Sequence, residues 1–340
     1  MIRDGEHIFR DHDYIETEEG WIFCVVSDLH PPGRVLAYLK YVPGEGLWFK
    51  GDVSYARVLR SYSMDQISYT IGYVRDRRPD YIFLDPATSE EFTYPPTPFI
   101  VRHYKPEERL RQILDKATWR REQDCMRIAV QLSGGAEKLL ESMGVSGSLL
   151  SGLRYENADV DLLVYGRENY LRVLEISTEI RERNDLLEKI WLSSFLEKYR
   201  LAKDDAREFF RRVRNKGFYN GVPYSIHAVR EIEEINERYG DRIYRPIGVE
   251  KTRLKILDVR DSYFLPSVYR VEGEVAAGEV ETLTCYDSTF AGLLEEGDEV
   301  EVYGKVERVV MLEDGREYVN ILVGSLRTAG LEYIRLLSSS

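Results

Sequence analysis

Two aspartates, Asp159 and Asp161, open the apolar run LLVY at the end of the segment GVSGSLLSGLRYENADVDLLVYG, residues 144–166. In a strand, residues i and i+2 project to the same side. This spacing therefore predicts both carboxylates on one side and Val160 in the core. Two carboxylates a few ångströms apart repel unless a cation lies between them. Oxygen-only ligands suit Mg²⁺ (or Mn²⁺), with Mg²⁺ keeping several waters and taking further ligands from substrate phosphates. Gly147-Ser148 supplies the complement: glycine permits close backbone approach to a phosphate, and the serine hydroxyl and nearby N–H groups can donate to it. Phosphate donors beside a metal dyad are the equipment of two-metal nucleotidyl transfer.

The elements that must position these groups are visible in the pattern. Up to residue 98 the chain reads as strand-rich: Trp21–Ser27, Arg34–Tyr41 and Gly46–Phe49 are β-branched or aromatic runs, punctuated by HPPG and PGEG turns. A helix is expected near Asp65–Arg75 and a short buried strand at Tyr81–Leu84. TYPPTP, Thr93–Pro98, can continue neither a helix nor a central strand, so the first boundary is placed there. Residues 105–143 have helical spacing, interrupted at Ser133-Gly134-Gly135, with a last helix ended by Gly144. A second helical stretch, Arg167–Arg214, is broken around Asn184 and Leu201. Gly221–Val229 then reads as a strand, with Pro223, Ser225 and His227 on one face. From Lys251 to Ser325 the texture is alternating β, with LEDGR as a hairpin connection.

Other groups compete for a role. Arg207, Arg211 and Arg214 fall at i, i+4 and i+7 of DDAREFFRRVRNKGFYNG, and with Lys216 they are candidates for phosphate contacts or for a solvated, ion-paired face. Asp28-x-His30 after an apolar strand resembles the first metal motif of calcineurin-like metallophosphoesterases, with Gly51-Asp52 at a plausible distance for the second. After His30 only His103 and His227 remain, too few for that dimetal site, and the structural alternative is a strand leading into the HPPG turn. The 24 tyrosines read as core and boundary residues rather than a stacking array.

Composition bounds the rest. Of 340 residues, 47 are Lys or Arg and 59 Asp or Glu, a net charge of −12 that argues against a wholly basic nucleic-acid coat. Three distant cysteines exclude a disulfide scaffold or an all-cysteine zinc site. No apolar run reaches the roughly 20 residues of a membrane span, and the charged N-terminus has no secretory pattern, so a soluble, cytoplasmic protein is expected. Few amides and many charges fit a thermophilic source.

Gly147, Ser148, Asp159 and Asp161 together resemble the signature of the polymerase-β-type nucleotidyltransferase superfamily, and the whole chain resembles a group of archaeal predicted nucleotidyltransferases with an N-terminal extension. The resemblance implies that Gly147 and Ser148 hold a triphosphate tail and that Asp159 and Asp161 ligate the metals. It also implies a third carboxylate on a later strand. GVPYSIHAVR has none, and His227 is the candidate for the base or ligand role there. The expected architecture is α+β in three parts: a β-rich domain (1–98), a nucleotidyltransferase-like core with a small mixed sheet (105–245) and an OB-like barrel (251–330). In the barrel, Tyr303, Lys305, Arg308 and Tyr318 are candidate nucleic-acid contacts, set against many glutamates. The expected function is transfer of a nucleoside monophosphate from an NTP to a hydroxyl acceptor, RNA or DNA among the possibilities. The alternative is a catalytically inactive nucleotide- or RNA-binding module or scaffold.

Overall fold

A computed structural model describes residues 8–59, 61–62, 64–181, 188–189, 191–193, 195–196, 203–328 and 330–337. The fold is α+β and contains several sheets.

The N-terminal unit comprises β1 (Tyr14–Thr17), β2 (Ile22–Val25), β3 (Ala37–Lys50), β4 (Val53–Arg57), α1 (Met64–Arg77), β5 (Ile82–Asp85), β6 (Glu90–Thr93) and β7 (Ile100–Tyr104). Five strands form an antiparallel sheet in the order β4-β3-β2-β1-β7, and β5 and β6 form a separate hairpin. IFCV in β2 is buried throughout because the sheet is covered on both faces. Phe23 and Val25 join Leu39 and Val74 in one core, whereas Ile22 and Cys24 pack with Leu150 and Leu153 of the central unit.

Three expectations are corrected here. PGEG is not a turn but an irregularity inside β3, where Pro43 and Trp48 both face Tyr55. Gly46 lies so close to Tyr55 that a Cβ would fall 1.9 Å from its carbonyl oxygen, so a side chain is excluded there. The sheet also continues past TYPPTP, because β7 pairs with β1. Finally, β5 is only half covered: as part of a two-stranded hairpin it leaves Leu84 exposed.

The central unit contains α2 (Pro106–Asp115), α3 (Arg120–Leu132), α4 (Glu137–Glu141), β8 (Met143–Val145), α5 (Gly147–Leu150), β9 (Val160–Tyr165), α6 (Arg167–Ile180), α7 (Lys203–Arg212), β10 (Lys216–Tyr219) and β11 (Val222–Val229). Its sheet has the order β10-β11-β9-β8, with β9 and β11 parallel and the outer pairs antiparallel. Val160, Leu162 and Val164 of β9 pack with Leu110, Ile128 and Val173 of the helices. Pro106 opens α2 where its missing N–H costs nothing. Gly144 is not a helix cap as expected. It lies in β8, where a Cβ would meet Pro106 at 2.7 Å. The expected breaks at Asn184 and Leu201 lie outside the described residues.

The C-terminal unit contains β12 (Arg242–Asp258), β13 (Ser267–Val275), β14 (Gly278–Cys285), β15 (Glu299–Met311), β16 (Glu317–Val323) and β17 (Tyr333–Leu336). Strands β12-β13-β14-β16-β15 form a ring, closed by the pairing of β15 with β12 from Arg242↔Met311 to Lys255↔Glu299. β14 and β16 are parallel, and β17 pairs with Val300–Tyr303 of β15, beyond the stretch that pairs with β16. Because β12 begins at Arg242, this unit starts before the boundary expected between 245 and 251. The apolar face of α7, with Ala206 and Phe209, packs into the same core as Leu283 and Phe290.

Candidate functional site

The three larger sheets meet around one cavity of about 720 Å³, a volume in the range of small-molecule sites, to which the β5–β6 hairpin adds Glu90 and Phe92. Gly147, Ser148, Asp159, Asp161, Lys216 and His227 all line it. So do ten of the 24 tyrosines, more than a scattered core-and-boundary role implies.

Local geometry explains why Gly147 precedes the aspartates in space as well as in sequence. The Ser146 N–H donates to the Asp161 carbonyl at 2.8 Å, pinning the chain alongside β9. Gly147 then takes a left-handed conformation (φ 64°), and a Cβ there would lie 2.4 Å from Asp161 Oδ2. Any side chain at 147 would collide with the carboxylate. Val160 is fully buried between the two aspartates, as the period of a strand requires.

The two carboxylates are held in different states. The charge of Asp161 and then burial push the Asp159 carboxyl up to about 6. Burial opposes ionisation of Asp161 as well, but Lys40, His227, the hydrogen bond from Ser225 and Arg57 together hold it below the usual carboxylate range. The Ser225 hydroxyl donates to Asp161 Oδ1 at 2.6 Å, and His227 Nε2 lies 3.1 Å from the same hydroxyl oxygen. With the serine proton directed at Asp161, the histidine bears its proton on Nε2 and donates it to Ser225. Burial, followed by the nearby His12, pushes His227 down to about 3, so it is neutral near pH 7.

His12 was not singled out from the sequence. Its ring centroid lies 5.0 Å from that of His227, and its Nδ1 is 2.6 Å from Asp11 Oδ2. Burial disfavours the His12 cation, but Asp11 outweighs burial and raises its pKa. The residue has a left-handed backbone (φ 68°), uncommon outside glycine.

The other residues missed are Lys40 and Arg57, which bring positive charge from the N-terminal sheet to the cavity wall. Lys40 is only 4% exposed, and its Nζ donates to Tyr14 Oη. Its one sequence signal was a lysine within the otherwise apolar and aromatic run AYLKYV. Arg57 ends β4, and nothing in its neighbourhood in sequence distinguished it.

Several expected contacts are placed elsewhere. Helix α7 ends at Arg212, so Arg207 and Arg211 share one of its faces and Arg214 lies beyond its end. Arg211 pairs with Glu208, while Lys216 stands on β10. Asp28 accepts from the Asp11 N–H at 3.0 Å, and His30 bridges the Phe9 carbonyl and the Leu36 N–H at 3.1 Å each. Both therefore hold the chain around HPPG, which does turn. In the barrel, Lys305 is fully buried between Glu90 and Glu307, and Asn320 Nδ2 donates to Glu307 Oε2 at 3.0 Å. Arg308 pairs with Glu317, Tyr303 stacks on Tyr333, and Tyr318 accepts from Arg242.

Among the described residues no group of three or more His, Cys, Asp or Glu side chains is placed to hold a metal ion. The donor set is the Asp159–Asp161 pair, whose mutual repulsion a divalent cation would relieve. Carboxylate oxygens are hard donors of the kind Mg²⁺ or Mn²⁺ takes. Among the same residues no helix is long and apolar enough to cross a membrane.

The chain is 28% identical over 345 residues to an uncharacterized protein of Methanocaldococcus jannaschii, an alignment covering 96% of this chain and 98% of the relative. No family model matches the chain. No solved structure matches it either.

Proposed function

We propose that this chain is a metal-dependent nucleotidyltransferase that moves a nucleoside monophosphate from an NTP to a hydroxyl acceptor. The observation that carries the reading is the contact of Gly147 with the Asp161 carboxylate, on the wall of a cavity large enough for a nucleotide. Asp159 and Asp161 would hold Mg²⁺ or Mn²⁺, which when bound neutralises charge on the α-phosphate and orients it for in-line attack. Gly147 and Ser148 would hold the β- and γ-phosphates. The acceptor oxygen forms a bond to the α-phosphorus, the α–β bridge bond breaks, and pyrophosphate leaves. The hydroxyl proton leaves to solvent through the cavity, while neutral His227, hydrogen-bonded to Ser225, keeps the serine hydroxyl on Asp161.

The architecture gives this reading further support. The mixed sheet carries Asp161 on β9, with Asp159 just before its first residue, and His227 on the parallel neighbour β11. The ring order of the C-terminal strands, with its parallel β14–β16 pair, supports an OB-like barrel. Pyrophosphate release from each NTP with Mg²⁺ and candidate acceptors, RNA and DNA ends included, tests the proposal. Turnover that survives Asp161→Ala would sink it.

One observation favours a second reading. Ser225, not a carboxylate, pairs with Asp161 on β11. A binding module without chemistry would bind NTP and release no pyrophosphate with any acceptor.

A further inference from the structure

Lys40 and Arg57 are two cations set into the wall of a cavity, and neither has an ion-pair partner among the described residues. Lys40 is 4% exposed. Its ammonium lies 5.1 Å from the ring centre of Tyr14, 5.9 Å from that of Tyr41 and 5.5 Å from that of Tyr62. Its hydrogen bond to Tyr14 uses one of three donors. The Arg57 guanidinium also lies 5.5 Å from the ring centre of Tyr62, and its Nε is buried with no acceptor. Two cations therefore share one aromatic ring. Burying charges without a carboxylate is costly unless something else offsets it.

The nearby negative charge is that of Asp159 and Asp161, on both of which Lys40 and Arg57 act. A metal on those aspartates would satisfy their charge and leave the two cations without a counterpart. The ligand that offsets them must then be anionic, extended enough to reach both, and able to accept several charge-assisted hydrogen bonds. Arginine's planar fork suits phosphate oxygens, and lysine serves as a point charge beside them.

We infer that Lys40 and Arg57 form a polyphosphate-binding subsite, contributed by the N-terminal sheet, that holds the triphosphate of the nucleotide. The inference rests on the nucleotidyltransferase reading for the identity of the ligand but not for the presence of the subsite. It makes the N-terminal unit part of the site. The unit is fastened there by the paired backbones of Phe49 and Arg154, by the Trp48–Tyr155 ring contact and by the shared packing of Ile22 and Leu150.

The test is calorimetric titration of the full chain with inorganic tripolyphosphate in the presence of a chelator. Wild type is expected to bind. Lys40→Met and Arg57→Gln should each weaken binding by about tenfold or more, the worth of a charge-assisted contact. The Asp159→Asn/Asp161→Asn double variant should bind at least as tightly as wild type, because two repelling charges are gone. Wild-type affinity in Arg57→Gln overturns the proposal, as does failure of the folded wild type to bind tripolyphosphate. If Lys40→Met does not fold, the half-buried Arg57 variant decides alone. Failure of the enzymatic reading is separate: tripolyphosphate binding lost in Arg57→Gln, with no pyrophosphate released by wild type, leaves the subsite standing on a binding protein.

Discussion

Ser225 is paired directly with Asp161 across the parallel strands β11 and β9, and its hydroxyl donates to Asp161 Oδ1 at 2.6 Å. A neutral donor thus occupies the position from which a further carboxylate would reach the dyad. The sign of substitution there follows. Ser225→Asp adds an oxygen ligand and should tighten Mn²⁺ binding, whereas Asp161→Asn should abolish it. Titration followed by electron paramagnetic resonance reads both, and unchanged Mn²⁺ affinity in Asp161→Asn would remove the dyad as a metal site.

Gly147→Ala tests the contact that links the glycine to the acid. The new methyl meets Asp161 Oδ2 and the backbone is left-handed, so the variant should lose about 1–3 kcal/mol of stability. It should also lose NTP binding. Urea unfolding and calorimetry check the two effects.

Lys40→Met and Lys305→Met make the same change at two buried lysines and should differ in outcome. Lys305 pairs with Glu90 and Glu307, and its loss strands the buried Glu307 carboxylate, at a cost of about 3–5 kcal/mol. Lys40 has no such partner. Its replacement by an apolar side chain should leave the thermal midpoint unchanged or higher, since Asp159 can take up a proton in compensation. Equal losses in the two variants would refute the distinction.

Acid should weaken the N-terminal unit through His30. Burial lowers its pKa to about 4 in the fold, against about 6.5 when unfolded. Above pH 6.5 both states are neutral and nothing is lost. As pH falls toward 4 the unfolded chain takes up a proton that the folded chain refuses, so stability declines, and below 4 the loss is complete. Asp28, raised to about 6 chiefly by burial, pulls the other way because its folded form holds the proton more tightly. The difference between wild type and His30→Gln isolates the histidine: the variant's unfolding midpoint should fall less between pH 6.5 and 4.

What was legible in the sequence is what neighbours in the chain decide. The side-by-side projection of Asp159 and Asp161 follows from the period of a strand, and the shared face of Pro223, Ser225 and His227 follows likewise. The LEDGR hairpin and the helix near Asp65–Arg75 were readable for the same reason. PGEG misled because glycines and a proline mark irregularities inside strands as well as turns, and the close approach of Tyr55 that distinguishes the two lies outside the motif. The arginine face of α7 fell short of Arg214 because the helix stops at Arg212. Arg57 and His12 were invisible as site residues, and Lys40 was marked only as a lysine in an apolar run. Each reaches the cavity through the docking of a sheet more than 90 residues earlier in the chain, and no local period encodes that contact.

The cavity also has a thermodynamic role. Its walls are the surfaces where the three larger sheets adjoin, so a ligand that touches all three would act as a rivet. Occupancy at about 100 times the dissociation constant would add about 2.7 kcal/mol to the folded state. The assembled arrangement is then most stable while the cavity is loaded, and release of the ligand would loosen the seams between the sheets.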